Sequence, residues 1–198
     1  MNTPSHAIIN LGLLGRSPRR AFNLAIVLGG ITPDIPIFIF YFWAKLVAKL
    51  PERQIWSEAY YQPFWQNVVA TFHSIPLALI GLLLATSHRW QAGQFFCLSL
   101  VLHSLLDLPV HREDAHRHFF PFSNYRFISP VSYYDPAHYG TIAALIELLW
   151  VLGSTIYLIR WVKSPIGKGL MVLTNLVYIG GYFLFYASHL FTLNLFHV

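Results

Sequence analysis

A chain of 198 residues that is 56% hydrophobic, 17% aromatic and only 11% charged is too apolar for an ordinary soluble domain of its length and implies an integral membrane protein. Its net charge of +5 suits an anionic membrane surface, and no basic run is interleaved with aromatics that would stack bases, so no nucleic-acid partner is expected. Cys97 is the single cysteine, which rules out a disulfide framework and reads as a packed thiol.

The basic residues between Met1 and Arg20 follow a short apolar run instead of preceding it, which argues against a removable signal peptide. Residues 5–15 and 21–33 are each too short to cross a bilayer, and Arg16-Ser17-Pro18-Arg19-Arg20 between them reads as a polar turn, so the pair is expected to fold as a helical hairpin. The second arm should end at Thr32-Pro33-Asp34-Ile35-Pro36, where two prolines disfavour a regular helix. Residues 37–50 read as a helix that starts in the membrane and leaves along its interface, and 51–66 as a polar loop rich in Trp and Tyr. Four later segments, 67–86, 93–110, 139–162 and 168–197, are apolar over about 18 residues or more and can cross a bilayer or nearly so. Residues 111–138 form a long polar connection, in which Pro121, Pro130 and Pro136 oppose a long helix. The expected fold is one membrane-embedded domain over residues 1–198. It is an all-α integral membrane protein, an N-terminal helical hairpin plus about four transmembrane helices around a polar metal site.

The polar residues inside these oily stretches carry the chemistry. A charge at bilayer depth costs a few kcal/mol or more, so His6, Asp34, His73, His103, Asp107 and Glu147 are functional candidates by position alone. His103 and Asp107 are four apart and share one helical face. Counting along the segments at about 1.5 Å per residue places His73, His103, Asp107 and Glu147 within roughly 5–12 Å of one membrane face. The hairpin brings His6 and Asp34 back to a matching level. Six residues thus converge on one layer beneath the loop that begins His111-Arg112-Glu113-Asp114-Ala115-His116-Arg117-His118.

Imidazole and carboxylate donors without suitably placed thiolates suit a divalent metal, zinc first, with manganese or iron as alternatives, and more donors than one tetrahedral ion needs suggest two or more ions. His6, Asp34, His73, His103, Asp107 and His111 are the expected ligands. Each has a plainer reading: a buried His–Asp hydrogen bond for His103 and Asp107, a helix cap for Asp34, an exposed N-terminal residue for His6, a solvated loop for the His111 cluster. Glu113, Asp114 or Glu147 would act as general base, although Glu147 in an apolar run also reads as a protonated packing acid. Arg112, Arg117 and Arg126 are expected to pair with a phosphate. Asp135 and His138 read as a turn and a helix start.

Ser5-His6, Thr32-Pro33-Asp34, Phe72-His73-Ser74 and His103-Ser104-Leu105-Leu106-Asp107, followed by Phe119-Phe120-Pro121-Phe122, occur in an order that resembles the family of membrane-bound, LexA-regulated, metal-dependent hydrolases. The likeness covers about the first 122 residues. More distantly, the His and Asp arrangement is similar to zinc-dependent phospholipase C proteins, which are all-helical enzymes with clustered metals. The resemblance implies a metal site and hydrolysis of an ester or phosphoester, plausibly of a lipid, in a bacterial inner (plasma) membrane. Two family positions differ here. Pro36 stands where the family often has a second carboxylate, and Val68-Val69-Ala70 where it often has His-Arg-Gly. The His111 to His118 cluster can supply substitutes. The rival readings are a di-iron membrane oxygenase, suggested by His111, His116 and His118, and a non-enzymatic metal-binding transporter or stability factor. Membrane lipid is the expected partner.

Overall fold

Proline and serine set where most helices begin. In the computed structural model, which describes residues 1–15 and 22–187, α1 (Thr3–Leu14) carries a proline in its first turn, as do α5 (Pro63–Phe72), α6 (Ile75–Ser87) and α9 (Pro165–Tyr182). A proline there wastes no hydrogen bond, because the first N–H groups of a helix have no partner within it. Ser74 and Ser164 cap α6 and α9, each Oγ accepting from a backbone N–H at 3.2 Å. The other helices are α2 (Asn23–Ile31), α3 (Ile35–Phe42), α4 (Glu52–Ser57), α7 (Gln91–Asp107) and α8 (Gly140–Leu158), and there is no strand among the described residues.

Helices α1 and α2 pack together as the expected hairpin; its Arg16 to Arg20 segment lies outside the described residues. Three expectations are corrected. The Thr32 to Pro36 stretch does not end the second arm. A tight 3-10 turn at Thr32–Asp34 absorbs the two prolines, and the chain runs on as helix through Val47, closing on one π-type turn at Trp43–Val47. Asn23–Val47 is thereby one run of 25 residues, long and apolar enough to cross a membrane, instead of a short arm and an interfacial helix. The loop expected over 51–66 contains α4 and the start of α5, since Pro51 and Glu52 favour a helix start and the apolar Ile55 docks on Phe40 and Ala44. The segment 67–86 is not a straight crossing. It is broken at His73-Ser74 and bent by 41°. Pro76 explains the break, because its ring in a continuous helix would meet the carbonyl of Phe72.

Gly140–Leu158 (19 residues) and Pro165–Phe185 (21 residues) are also long and apolar enough to cross, and the bent α5–α6 pair passes only as a unit. Helix α7, at 17 residues, is shorter than the expected crossing. The long connection after it holds only one short helical turn, Pro136–His138, as its prolines require.

Two apolar clusters flank the site. One joins Ile8, Ile9 and Leu11 of α1 to Ile26, Val151, Leu158 and Met171; the other joins Phe40, Ala44, Ile55, Tyr60 and Val69. Gly29 and Gly30 let α2 press between its neighbours. A Cβ on Gly29 would lie 2.4 Å from the Phe96 carbonyl oxygen of α7, and one on Gly30 3.0 Å from the His6 carbonyl oxygen of α1. One layer from the site, Asn10 donates to the Ser99 carbonyl (3.0 Å) and hydroxyl (2.9 Å), and Ser99 donates to Ile26 O (2.6 Å), so one polar brace ties α1, α2 and α7. Cys97 is buried, as a packed thiol should be.

Candidate metal centre

Each break in the helices delivers a polar side chain to one buried point. The 3-10 turn presents Asp34, the α5–α6 break presents His73, and the last turns of α7 present His103 and Asp107. One donor atom from each of these four buried residues lies within 4.8 Å of the others. At the break, the His73 carbonyl has left the helical ladder and accepts from the Ser104 hydroxyl at 2.9 Å, while the His118 carbonyl takes the Ile75 N–H at 2.9 Å. The long loop is therefore docked into the break, and irregular backbone is tolerated because it faces protein.

The decisive detail is the direction of the imidazoles. His73 places Nδ1 2.9 Å from the Val69 carbonyl oxygen, and His103 places Nδ1 2.8 Å from that of Gly30. A carbonyl only accepts, so both Nδ1 atoms donate, and in the neutral ring each Nε2 carries the lone pair. Those Nε2 atoms are buried and make no hydrogen bond. They face carboxylates instead: His73 Nε2 is 3.5 Å from Asp34 Oδ1 and 4.0 Å from Asp107 Oδ2, and His103 Nε2 is 3.6 Å and 3.0 Å from the same atoms. Buried imidazole nitrogens and carboxylate oxygens at these separations need a cation between them, either a proton on Nε2 or a metal ion. Backbone carbonyls that fix the far nitrogen of a ligand histidine are the usual support of such sites. Asp34, His73, His103 and Asp107 therefore fit a divalent ion.

A second donor group shares Asp107. His111 and His116, both buried in the loop, bring ring nitrogens within 4.8 Å of it and of one another. His111 Nε2 lies 3.3 Å from Asp107 Oδ1, and its Nδ1 is 2.7 Å from Asp114 Oδ2. His116 stacks on His73 with ring centroids 4.1 Å apart. Burial, with His73 and His111 beside it, holds His116 well below the ordinary imidazole range, so its ring is neutral. His118 is pushed down to about 4 by burial and by His73. Burial also opposes charge on His111, but the Asp107 and Asp114 carboxylates outweigh it and the pKa is raised.

The N-terminal residues support the carboxylates. Thr3 donates to Asp34 Oδ2 at 2.6 Å, His6 Nε2 to Asp107 Oδ1 at 2.9 Å, and the Met1 ammonium lies 2.6 Å from Asp107 Oδ1 and 3.0 Å from His111 Nε2. His6 also stacks on His103 at 3.7 Å. It reaches the site as expected, but as a partner of Asp107, outside both donor groups. Glu147 lies among these supports and in neither donor group; its Oε1 accepts the Asn2 N–H at 2.9 Å and the Ser5 hydroxyl, so it holds the start of α1.

A cavity of about 700 Å³ opens over Asp34, Asp107, His111 and His116. Its lining combines apolar and aromatic residues, Ile37, Phe38, Trp56, Tyr60 and Tyr61, with polar ones, Glu113, Asp114, Ser132, Tyr134 and Asp135. The three arginines expected to bind phosphate do not line it. Arg112 donates to Ser129 O (3.2 Å), Arg117 to Asn124 (3.0 Å) and Asn67 (2.8 Å), and Arg126 to Gln66 (2.7 Å) and Ala115 O, so they fasten the loop to itself and to α5. Asp135 and His138 pair with each other at 2.7 Å near Glu113, in an outlying group separate from the buried cluster. Sequence gives no sign of Thr3, Ser104 or Tyr134, and it marks His116 only within the His111 to His118 cluster and the oxygenase reading. The three histidines in eight residues were the one sign of it. The chain matches no protein-family model, no curated protein and no solved structure.

Proposed function

We propose that the chain is an integral membrane metal-dependent hydrolase acting on an ester or phosphoester bond, with a lipid as substrate. The observation that carries the reading is the pair of buried Nε2 atoms, of His73 and His103, that face Asp34 and Asp107 and meet no hydrogen-bond partner. Those four residues would hold the ion. Bound there, a divalent metal such as zinc polarises a carbonyl or phosphoryl oxygen and makes water nucleophilic near neutral pH.

The chain's own groups do the rest. Thr3 and His6 fix the carboxylate rotamers, which keeps the donors in place before any ligand arrives. Glu113 and Asp114 both line the cavity; Asp114 is committed to His111 and Glu147 to α1, whereas Glu113 is held by the Ser132 hydroxyl at 2.8 Å and by a looser pairing with Arg112 at 3.5 Å. The general-base role is therefore assigned to Glu113. Support for a lipid comes from a cavity lining that combines Ile37 and Phe38, on a helix run apolar enough to cross a membrane, with polar residues of the loop. An amphipathic molecule matches such a mixed lining.

The test is metal analysis of the purified chain together with a panel of carboxylic esters and phosphoesters, lipid and soluble. The reading expects bound zinc or manganese, and hydrolysis that is lost with the metal and in His73→Ala. Bound iron with oxygen-dependent turnover would favour an oxygenase, and absence of any metal would remove the proposal.

A further inference from the structure

Resting on that metal reading, we infer that Asp107, His111 and His116 form a second metal position, bridged to the first through Asp107, and that the second ion is the exchangeable one facing the cavity.

The two oxygens of Asp107 are divided between the donor groups. Oδ2 faces His103 at 3.0 Å and His73 at 4.0 Å, while Oδ1 faces His111 at 3.3 Å. A carboxylate with one oxygen toward each of two imidazole sets is the arrangement that bridges a pair of ions. The positions differ in kind. The first has four protein donors, all buried, as a closed tetrahedral site does. The second has three, which leaves a coordination place open. That place faces the cavity, whose lining takes in all three of its donors but only Asp34 and Asp107 of the first position.

The second position is also prepared beforehand. Asp114 holds the Nδ1 proton of His111, turning the Nε2 lone pair inward, and His116 is packed against His73. The loop that carries both histidines is tied down by Ser129, whose N–H reaches His111 O (3.2 Å) and whose hydroxyl reaches Pro109 O (2.6 Å). Fewer protein donors and an open face imply weaker binding than at the first position.

The probe is cobalt(II) or manganese(II), titrated into the metal-stripped full chain in detergent micelles, with bound metal counted after passage through a weak chelator. Wild type should take up two equivalents, one surviving the chelator and one exchanging. Asp114→Asn should weaken the exchanging equivalent by about 10–100-fold, as loss of a supporting carboxylate does. His116→Gln should remove it while the tight one stays. With manganese(II), the doubly loaded protein should show an exchange-coupled spin pair that His116→Gln abolishes. A single equivalent that His73→Ala removes and His116→Gln leaves untouched overturns the second position alone. No equivalent in wild type overturns both positions.

Discussion

His103 gives its Nδ1 proton to the carbonyl oxygen of Gly30 over 2.8 Å, which joins α7 to α2 and turns the other ring nitrogen toward Asp34 and Asp107. The contact depends on how close α2 lies to its neighbours. A Cβ on residue 30 would meet the backbone of His6 and Ala7 at 3.0–3.2 Å. Gly30→Ala should therefore push α1 from α2, cost about 1–3 kcal/mol as overpacking does, and lower metal affinity although residue 30 is no ligand. Thermal unfolding with metal titration checks it; unchanged affinity would mean that the hairpin does not set the site.

Glu147 should behave as a support. Its carboxylate accepts from Asn2 and Ser5, and α1 in turn carries Thr3 and His6 to Asp34 and Asp107. Gln keeps an acceptor for the Asn2 N–H, so Glu147→Gln should retain metal and stability. Glu147→Ala leaves the Asn2 N–H unpaired, while the Ser5 hydroxyl keeps Tyr178 at 2.9 Å, and should cost about 1–3 kcal/mol, with a loss of metal affinity. Equal metal content in both variants would detach Glu147 from the site.

Ser104 holds the carbonyl released at the α5–α6 break. Ser104→Ala should cost about 0.5–1.5 kcal/mol, the net worth of one hydrogen bond, and loosen His73. The expected readout is faster hydrogen exchange at residues 73–75, with weaker metal binding. Unaltered exchange there would leave the break held by the loop alone.

Most of the site was legible because few residue types tolerate an apolar interior. Depth counting along the chain brought His6, Asp34, His73, His103 and Asp107 to one layer, and the structure places them in contact. What counting could not give was which nitrogen faces inward, since that depends on partners such as Val69 O and Gly30 O that carry no mark in sequence. The arginines carry a second pattern that sequence does not show. Charge and loop position suggest a phosphate, and in the structure Ala115, Ser129, Gln66 and Asn67 accept some of their donors. In the fold, the hairpin was readable from apolar run lengths. The continuous run through Pro33 and Pro36 was not, because a 3-10 turn accommodates both prolines and no local pattern announces it.

Arg126 gives a test of that last distinction. It ties the loop to Gln66, so Arg126→Ala should raise protease sensitivity of residues 111–128 and weaken metal at His111 and His116 together. A phosphate-binding role would leave the loop intact and raise only KM for a phosphoester. Limited proteolysis beside metal counting separates the two.

The central claim is that His73 and His103 turn buried lone pairs onto a cation with Asp34 and Asp107, and the most direct measurement is elemental analysis of the purified full chain beside His103→Ala. The account expects divalent metal in wild type and loss of the tightly held equivalent in the variant, with membrane insertion retained. Metal-free wild type, or a variant with unchanged metal content, would contradict it.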